Sequence, residues 1–529
     1  MSKLLLYLQT LRYLKPIQIY YKFYYALKHR LFGLNYNISK NQNFQYPDRS
    51  NEIQFRSITS KSTYTPLYTF TFLNLTHSFQ NGIDWNFNDY KKLWTYNLNY
   101  FDYLLQEDLS KDSGQKLIYQ YIKDFDWVRD GKEPYPTSLR VINWIKFCLK
   151  HCINDNSIKI ALHNQVIHLS KNLEYHLLAN HLLENAFALT IGAIYLKEDK
   201  LFLKGSQLLI RELNEQILPD GAHYERSPMY HQIILFRLLD TINIITTYSV
   251  EPELKHILQR KAAKMLGWIR QLAFTGNQLP LFKDSSNGIA PTVEDLLSYA
   301  TLLNIIPKSR PLNESGYRKL ITKDFELLID VGGVSPSYQP GHAHADHLSY
   351  ELYFKGQPVI VDTGTSTYNI GEIRSFERST SSHNCVTAHG LNSSEIWASH
   401  RVGKRATVKL ISYKVNSFLK ASLIFAKKNG LIHDREVIIE YNGFKIVDRV
   451  TQANKNRTVV SNIHLHPDRK FSLTKNGILI DLGIQVEFYG HSDINFQTFY
   501  YSPEFNKRIE STVVCLSFTE KLETRFKAI

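Results

Sequence analysis

Gly341-His342-Ala343-His344-Ala345-Asp346-His347-Leu348-Ser349-Tyr350-Glu351-Leu352 packs three histidines and a carboxylate into the six residues 342–347, in a chain with 20 histidines among 529 residues. Read as extended backbone, the run sends His342, His344 and Asp346 to one side, because successive strand side chains alternate. Tyr350, Leu352 and Phe354 continue the alternation to a turn at Lys355-Gly356. Pro358-Val359-Ile360-Val361 then reads as a second strand, ending on Asp362-Thr363-Gly364. Imidazoles and carboxylates held on rigid strands suit a metal site or an acid–base centre.

His-x-His-x-Asp-His is similar to the metal-binding signature of the metallo-β-lactamase hydrolases, a resemblance that implies a pair of zinc ions. In that family a strand ending in Asp-Thr-Gly precedes the histidines, whereas here Val361-Asp362-Thr363-Gly364 follows them. The continuation resembles the heparinase II/III polysaccharide lyases (heparinase II/III-like, alginate lyase-like) instead. The order His-x-His-x-Asp, Leu348-Ser349, Lys355-Gly356-Gln357-Pro358, Val361-Asp362-Thr363-Gly364-Thr365 and Arg378-Ser379-Thr380-Ser381-Ser382-His383-Asn384 carries it. Trp397, Arg401, Val402, Gly403 and Arg405 extend it.

Upstream, Leu93 to Leu104 and Glu133-Pro134-Tyr135-Pro136-Thr137-Ser138-Leu139-Arg140 resemble the family's helical N-terminal domain. Apolar residues recur with helical spacing over 139–150, 158–170, 181–196, 199–217, 229–248, 252–274 and 293–305. Paired helices of this kind predict an incomplete (α/α) toroid. After Pro307 and Pro311 the pattern changes to short alternating segments, such as 325–330, 406–410, 419–423, 436–441, 458–463 and 513–518. Turns at Asn442-Gly443 and Asn476-Gly477 add to a predicted antiparallel β-sandwich. The expected division is a basic amphipathic segment over 1–47, a toroid domain over 48–315 and a β-sandwich domain over 316–529, with the active cleft between the last two.

Composition narrows the partners. Lys and Arg number 63 against 49 Asp and Glu, a net charge of +14, which favours an anionic partner. With no zinc finger, Gly-rich phosphate loop or dense basic stripe, no nucleic-acid partner is expected; a membrane surface and an acidic polysaccharide stay open on charge, and the resemblance implies the polysaccharide. The first 47 residues hold seven basic residues and no acid before Asp48. They contain no apolar run approaching the roughly 20 residues that span a bilayer, and no signal-peptide pattern. A basic amphipathic helix that packs on the body or makes peripheral membrane contact is expected. The setting is then cytoplasmic or membrane-associated, with the periplasm open and the oligomeric state unspecified. Four cysteines without a disulfide or zinc spacing predict buried free thiols.

Two helical stretches carry polar residues that packing does not require. Asn180 reads as an N-cap for the helix after it, with Glu184 one turn on. Ser227-Pro228 reads as a helix start with Tyr230 in its first turn, where the helix dipole favours a phenolate. The resemblance implies that Asn180 binds the substrate carboxylate, that Tyr230 is the catalytic tyrosine and that His342 is a base. It implies β-elimination on a uronic acid-containing polysaccharide, in degradation or in cell-surface polysaccharide synthesis. His181, Glu184, Arg374 and Arg378 are the expected substrate contacts. The resemblance further implies one structural zinc ion on His344, Asp362 and His383. A metal-dependent hydrolase and a non-catalytic glycan-binding protein are the alternatives.

Overall fold

Prolines in the first turn and apolar 3.6-residue stripes set the helices. A computed structural model describes residues 3–32, 55–426, 430–452 and 459–529. The helices are α1 (Lys3–Leu11), α2 (Pro16–Phe32), α3 (Lys92–Tyr100), α4 (Lys111–Asp124), α5 (Pro134–Lys150) and α6 (Asn156–Lys171). There follow α7 (Ala179–Leu196), α8 (Asp199–Gln216), α9 (Pro228–Tyr248), α10 (Pro252–Leu272) and α11 (Val293–Leu302). α5 starts five residues before its apolar stripe, because Pro134 and Pro136 fall in the first turn, where no amide donor is needed. α4 had no counterpart in the sequence reading. Its start is capped by Ser110, which accepts from the Ser113 amide, and it buries Leu117, Ile118 and Tyr121.

The C-terminal part is built of antiparallel sheets. One four-stranded sheet takes its strands in order from 317–321, 325–330, 350–354 and 357–360. A second orders 493–504, 507–518, 459–464 and 386–388, and an eight-stranded sheet runs from 407–414 to 471–474. Strand Phe418–Ile424 alternates half-buried and buried residues, as a sheet with one covered face requires. Phe325, Phe444, Val514 and Phe526 pool in one core that draws on all three sheets. A small three-stranded sheet over 64–78 precedes α3.

The helical core does not stop where the C-terminal sheets begin, for Tyr317, Leu328 and Tyr353 are buried in it. The expected end of an N-terminal segment at 47 lies outside the described residues. Among the described residues no helix is long and apolar enough to cross a membrane. Cys148, Cys385 and Cys515 are buried free thiols, but Cys152 is exposed, because it follows the end of α5 instead of facing the core.

Residues 341–349 correct the strand expectation. They form loop and turn, and the strand begins only at Tyr350. The one-sided display of His342, His344 and Asp346 nevertheless holds, because all three reach the same segment, Lys283-Asp284.

Candidate active site

Asp284 is the hub. Its Oδ2 lies 2.9 Å from His342 Nδ1 and its Oδ1 lies 2.8 Å from His344 Nε2. Arg374 donates to both oxygens of the same carboxylate, at 2.5 and 2.7 Å. Burial alone would raise the Asp284 carboxyl, but the Arg374 guanidinium and the two imidazoles outweigh it and hold the group well below the usual carboxylate range. With His342 Nδ1–H donating to Asp284, Nε2 is left as the basic nitrogen. That nitrogen lies 3.5 Å from the Asn180 amide nitrogen.

Asn180 is not the cap of α7. The cap position is Leu178, which makes no side-chain cap, and Asn180 stands inside the first turn. Its side-chain nitrogen donates instead to both oxygens of Glu225, at 3.0 Å each. Leu178 and Ala179 both have positive φ, 62° and 53°, a left-handed conformation that side-chain-bearing residues rarely adopt. This strained entry turns Asn180 towards Glu225 and His342.

Tyr230 enters from α9 as expected. Ser227 accepts from the Tyr230 amide at 3.3 Å and donates at 2.7 Å to the carbonyl of Asp284, so the helix start and the hub are tied together. The Tyr230 ring stacks on His342 with centroids 3.9 Å apart, and its hydroxyl lies 3.4 Å from that of Tyr368. The expected phenolate is not favoured. Burial pushes the phenol above its ordinary value, and the nearby Asp284 and Glu225 carboxylates add to that, outweighing the Tyr368 hydrogen bond.

The remaining expected residues divide by burial. His181 is partly exposed, stands against Tyr135 and has its Nδ1 3.1 Å from Glu174. Burial alone would lower its imidazole, yet Glu174 outweighs this and raises it. Glu184, Arg374 and Arg378 are wholly buried, so direct contact with substrate is corrected to a place behind the site. Glu184 pairs with Arg237 at 3.4 Å, and burial lifts its carboxyl to about 7 despite that partner. Arg378 donates to the Ala343 carbonyl at 2.9 Å and receives the Ala345 amide on its own carbonyl, clamping the loop on both sides of His344.

The expected zinc ligands form two neighbouring pairs, and among the described residues they do not bring one ligand atom each within 4.8 Å of one another. His383 Nδ1 lies 2.7 Å from Asp362, and the His344 and His383 ring centroids are 5.3 Å apart. His344 Nδ1 and His383 Nε2 are buried without a hydrogen-bond partner, the state in which an imidazole nitrogen can accept a metal. A different trio, Asp284, His342 and His400, brings one ligand atom each within 4.8 Å of one another.

Sequence reasoning missed Asp284, Glu225, Tyr368 and His400. Glu225 stands two residues before the Ser227-Pro228 helix start already singled out and was given no role. Asp284 lies in a non-periodic run after α10, whose polar residues Lys283-Asp284-Ser285-Ser286 were the one available signal.

Two family profiles match the chain. "Heparinase II/III N-terminus" covers residues 140–313, and "Heparinase II/III-like, C-terminal" covers residues 306–528. The chain belongs to the heparinase II/III family. Among curated relatives, a heparin-sulfate lyase of Bacteroides stercoris is 23% identical over 44% of this chain and 39% of its own length. A heparin-sulfate lyase of Pedobacter heparinus is 22% identical over 52% of this chain and 44% of its own length. These matches therefore span less than half of either relative. A solved heparinase III structure superposes with a TM-score of 0.70 at 15% identity, covering 98% of this chain and 93% of that one. A heparan sulfate lyase structure from Pedobacter heparinus gives 0.58 at 16% identity, covering 95% and 87%. The heparinase fold is thus shared along nearly the whole chain.

Proposed function

We propose that this heparinase II/III-family protein is a polysaccharide lyase. It cleaves a uronic acid-containing, glycosaminoglycan-type polysaccharide by β-elimination, in turnover or synthesis of a cell-surface polymer. The observation that carries this reading is the meeting of Asn180, Tyr230 and His342, brought from α7, α9 and the 341–349 loop.

Each residue has a task in that reaction. Asn180 would exchange Glu225 for the uronate carboxylate as its acceptor, with His181 adding positive charge, so that the C5 proton becomes acidic. His342 Nε2, oriented through Nδ1 by Asp284, removes the C5 proton when proton and leaving oxygen are on opposite faces. The neutral Tyr230 phenol gives its proton to the glycosidic oxygen as the C4–O bond breaks and the C4–C5 double bond forms. When both groups are on one face, the Tyr230 phenol first passes its proton to the stacked His342 imidazole, then takes the C5 proton as phenolate and hands that proton to the leaving oxygen.

The finer architecture, an incomplete (α/α) toroid against a β-sandwich with boundaries near 47 and 315, belongs to the same proposal. So does one zinc ion on His344, Asp362 and His383. The orphaned His344 and His383 nitrogens support it, with Asp362 as the carboxylate of the set. When bound, the ion would brace the loop that carries His342. The hydrolase alternative is disfavoured, because the profiles that match the chain and its curated relatives are heparinase II/III proteins and heparin-sulfate lyases.

Ultraviolet absorbance of unsaturated uronate ends, followed on heparan sulfate and other uronate polysaccharides, tests the proposal. A rise on at least one substrate supports it, and binding without any rise would point to the non-catalytic alternative.

A further inference from the structure

The two N-terminal helices are amphipathic the wrong way round for helices packed on a protein. In α2, Gln18, Tyr21, Tyr25 and Lys28 share the inward side. Gln18 is 2% exposed and donates to the Leu177 carbonyl at 3.4 Å, Tyr25 donates to that of Leu173 and Lys28 to that of Lys171. The outward stripe is Tyr20, Phe23, Tyr24, Leu27 and Leu31, at the i, i+3, i+4, i+7 spacing of one helix face. Phe23 is 72% exposed and Leu31 62%. α1 repeats the inversion, with Gln9 buried and Leu4, Leu8 and Leu11 exposed. Burying such side chains is worth roughly the transfer of a full apolar side chain each, so a face this large is costly to leave in water.

The helices are not loosely held. α1 sits on the C-terminal part, where Tyr7 meets Trp397 edge-on at 4.9 Å and Trp397 donates to Thr10. α2 sits on the helical part through Tyr21, stacked on Tyr175 at 4.6 Å. Between them Lys15 pairs with Glu215 and lies 3.9 Å above the Tyr338 ring. The platform therefore straddles both halves of the molecule.

We propose that the outward face of α1 and α2 docks on an anionic lipid bilayer, with the apolar stripe in the headgroup–acyl boundary. Charge decides between occupants. Lys22 and Arg30 are exposed on α2 and Arg12 in the turn before it, and residues 1–47 contain no acid. A two-fold dimer through this face would press like charges together, whereas anionic headgroups complement them. The placement also reaches the proposed active site. Next to Arg401, whose guanidinium lies 4.9 Å from the Tyr7 ring, stands His400, and its Nδ1 is 3.2 Å from the Gly341 carbonyl. Substrate would then be met at a membrane surface.

The test is sedimentation of the full-length chain with phosphatidylcholine–phosphatidylglycerol vesicles and with phosphatidylcholine vesicles, at low and high salt. Two variants accompany it, Phe23→Asp/Leu27→Asp and Lys22→Gln/Arg30→Gln, with melting temperature and light-scattering mass measured on each. The expected result is pelleting with the mixed vesicles, weakened by salt. The first variant should lose about tenfold or more in partitioning, the second should lose the preference for anionic lipid, and neither should melt differently. Failure of the full-length chain to pellet at low salt would overturn the proposal. So would variants that pellet like the parent, or a dimer of the parent that the Phe23→Asp/Leu27→Asp change converts to monomer.

Discussion

His342 lies face to face with Tyr230, ring centroids 3.9 Å apart and planes inclined by 29°. One ring comes from a loop of the C-terminal part and the other from the first turn of α9, so the stack is a contact between the two halves of the molecule. In the proposed reaction His342 serves the C5 proton and Tyr230 the glycosidic oxygen, so for groups on opposite faces the stack must part to admit the sugar between them. Tyr230→Phe keeps the stack and removes the transferable proton. It should lower turnover roughly 10²–10⁴-fold with little change in substrate binding. Single-turnover rates and binding isotherms of the variant check this, and near-parental turnover on every cleaved substrate would rule Tyr230 out.

Asp284 should matter although it does not touch substrate. Asp284→Asn weakens its grip on both imidazoles and leaves Arg374 buried without a full counter-charge. Breaking such a buried pair costs about 3–5 kcal/mol of stability. The melting temperature should fall, and turnover of the folded fraction should drop by roughly 10²-fold or more. Turnover unchanged in a destabilised protein would make Asp284 a structural residue alone.

His181 gives the site a pH signature. Its folded value is raised, so its charge is fully present below the ordinary histidine value of about 6.5 and is lost as pH rises through the raised one. Attraction for an anionic polymer should weaken over that alkaline side, seen as a rising KM. His181→Gln should flatten the KM profile and leave the pH dependence of kcat in place. A His181→Gln profile parallel to the parent's would remove His181 from substrate binding.

The zinc proposal is checked by metal analysis. His383→Ala should lower bound zinc and melting temperature together, because His383 is buried and supplies one of the two orphaned nitrogens. Undiminished zinc content would remove the assignment of His383.

What the sequence made legible follows from how local each signal is. The helices from α5 to α10 were legible because their apolar stripes repeat within the segment. The strands 325–330 and 419–423 were legible because alternation is local as well. α4 was missed, though Ser110 capped it, because its apolar residues are only Leu117, Ile118 and Tyr121 amid polar ones. The histidine run was read as strand, and it is loop. Its side chains still share a side because Lys283 and Asp284, some sixty positions away in sequence, pull them there. No spacing rule reports a partner at that distance. The Tyr230 phenolate failed for a related reason: the helix dipole is visible in sequence, whereas burial beside two carboxylates is not. In α1 and α2 the period was helical, but which face turned outward depended on the surfaces beneath.

The most direct measurement is the mass of the oligosaccharides released from a uronate polysaccharide by the parent protein and by Tyr230→Phe. β-Elimination moves a proton to the leaving oxygen and adds no water, so the parent should release products whose new non-reducing ends are unsaturated and lighter by one water than hydrolytic ends, and Tyr230→Phe should release few of them. Products carrying a full added water would contradict a lyase reaction at Asn180, Tyr230 and His342.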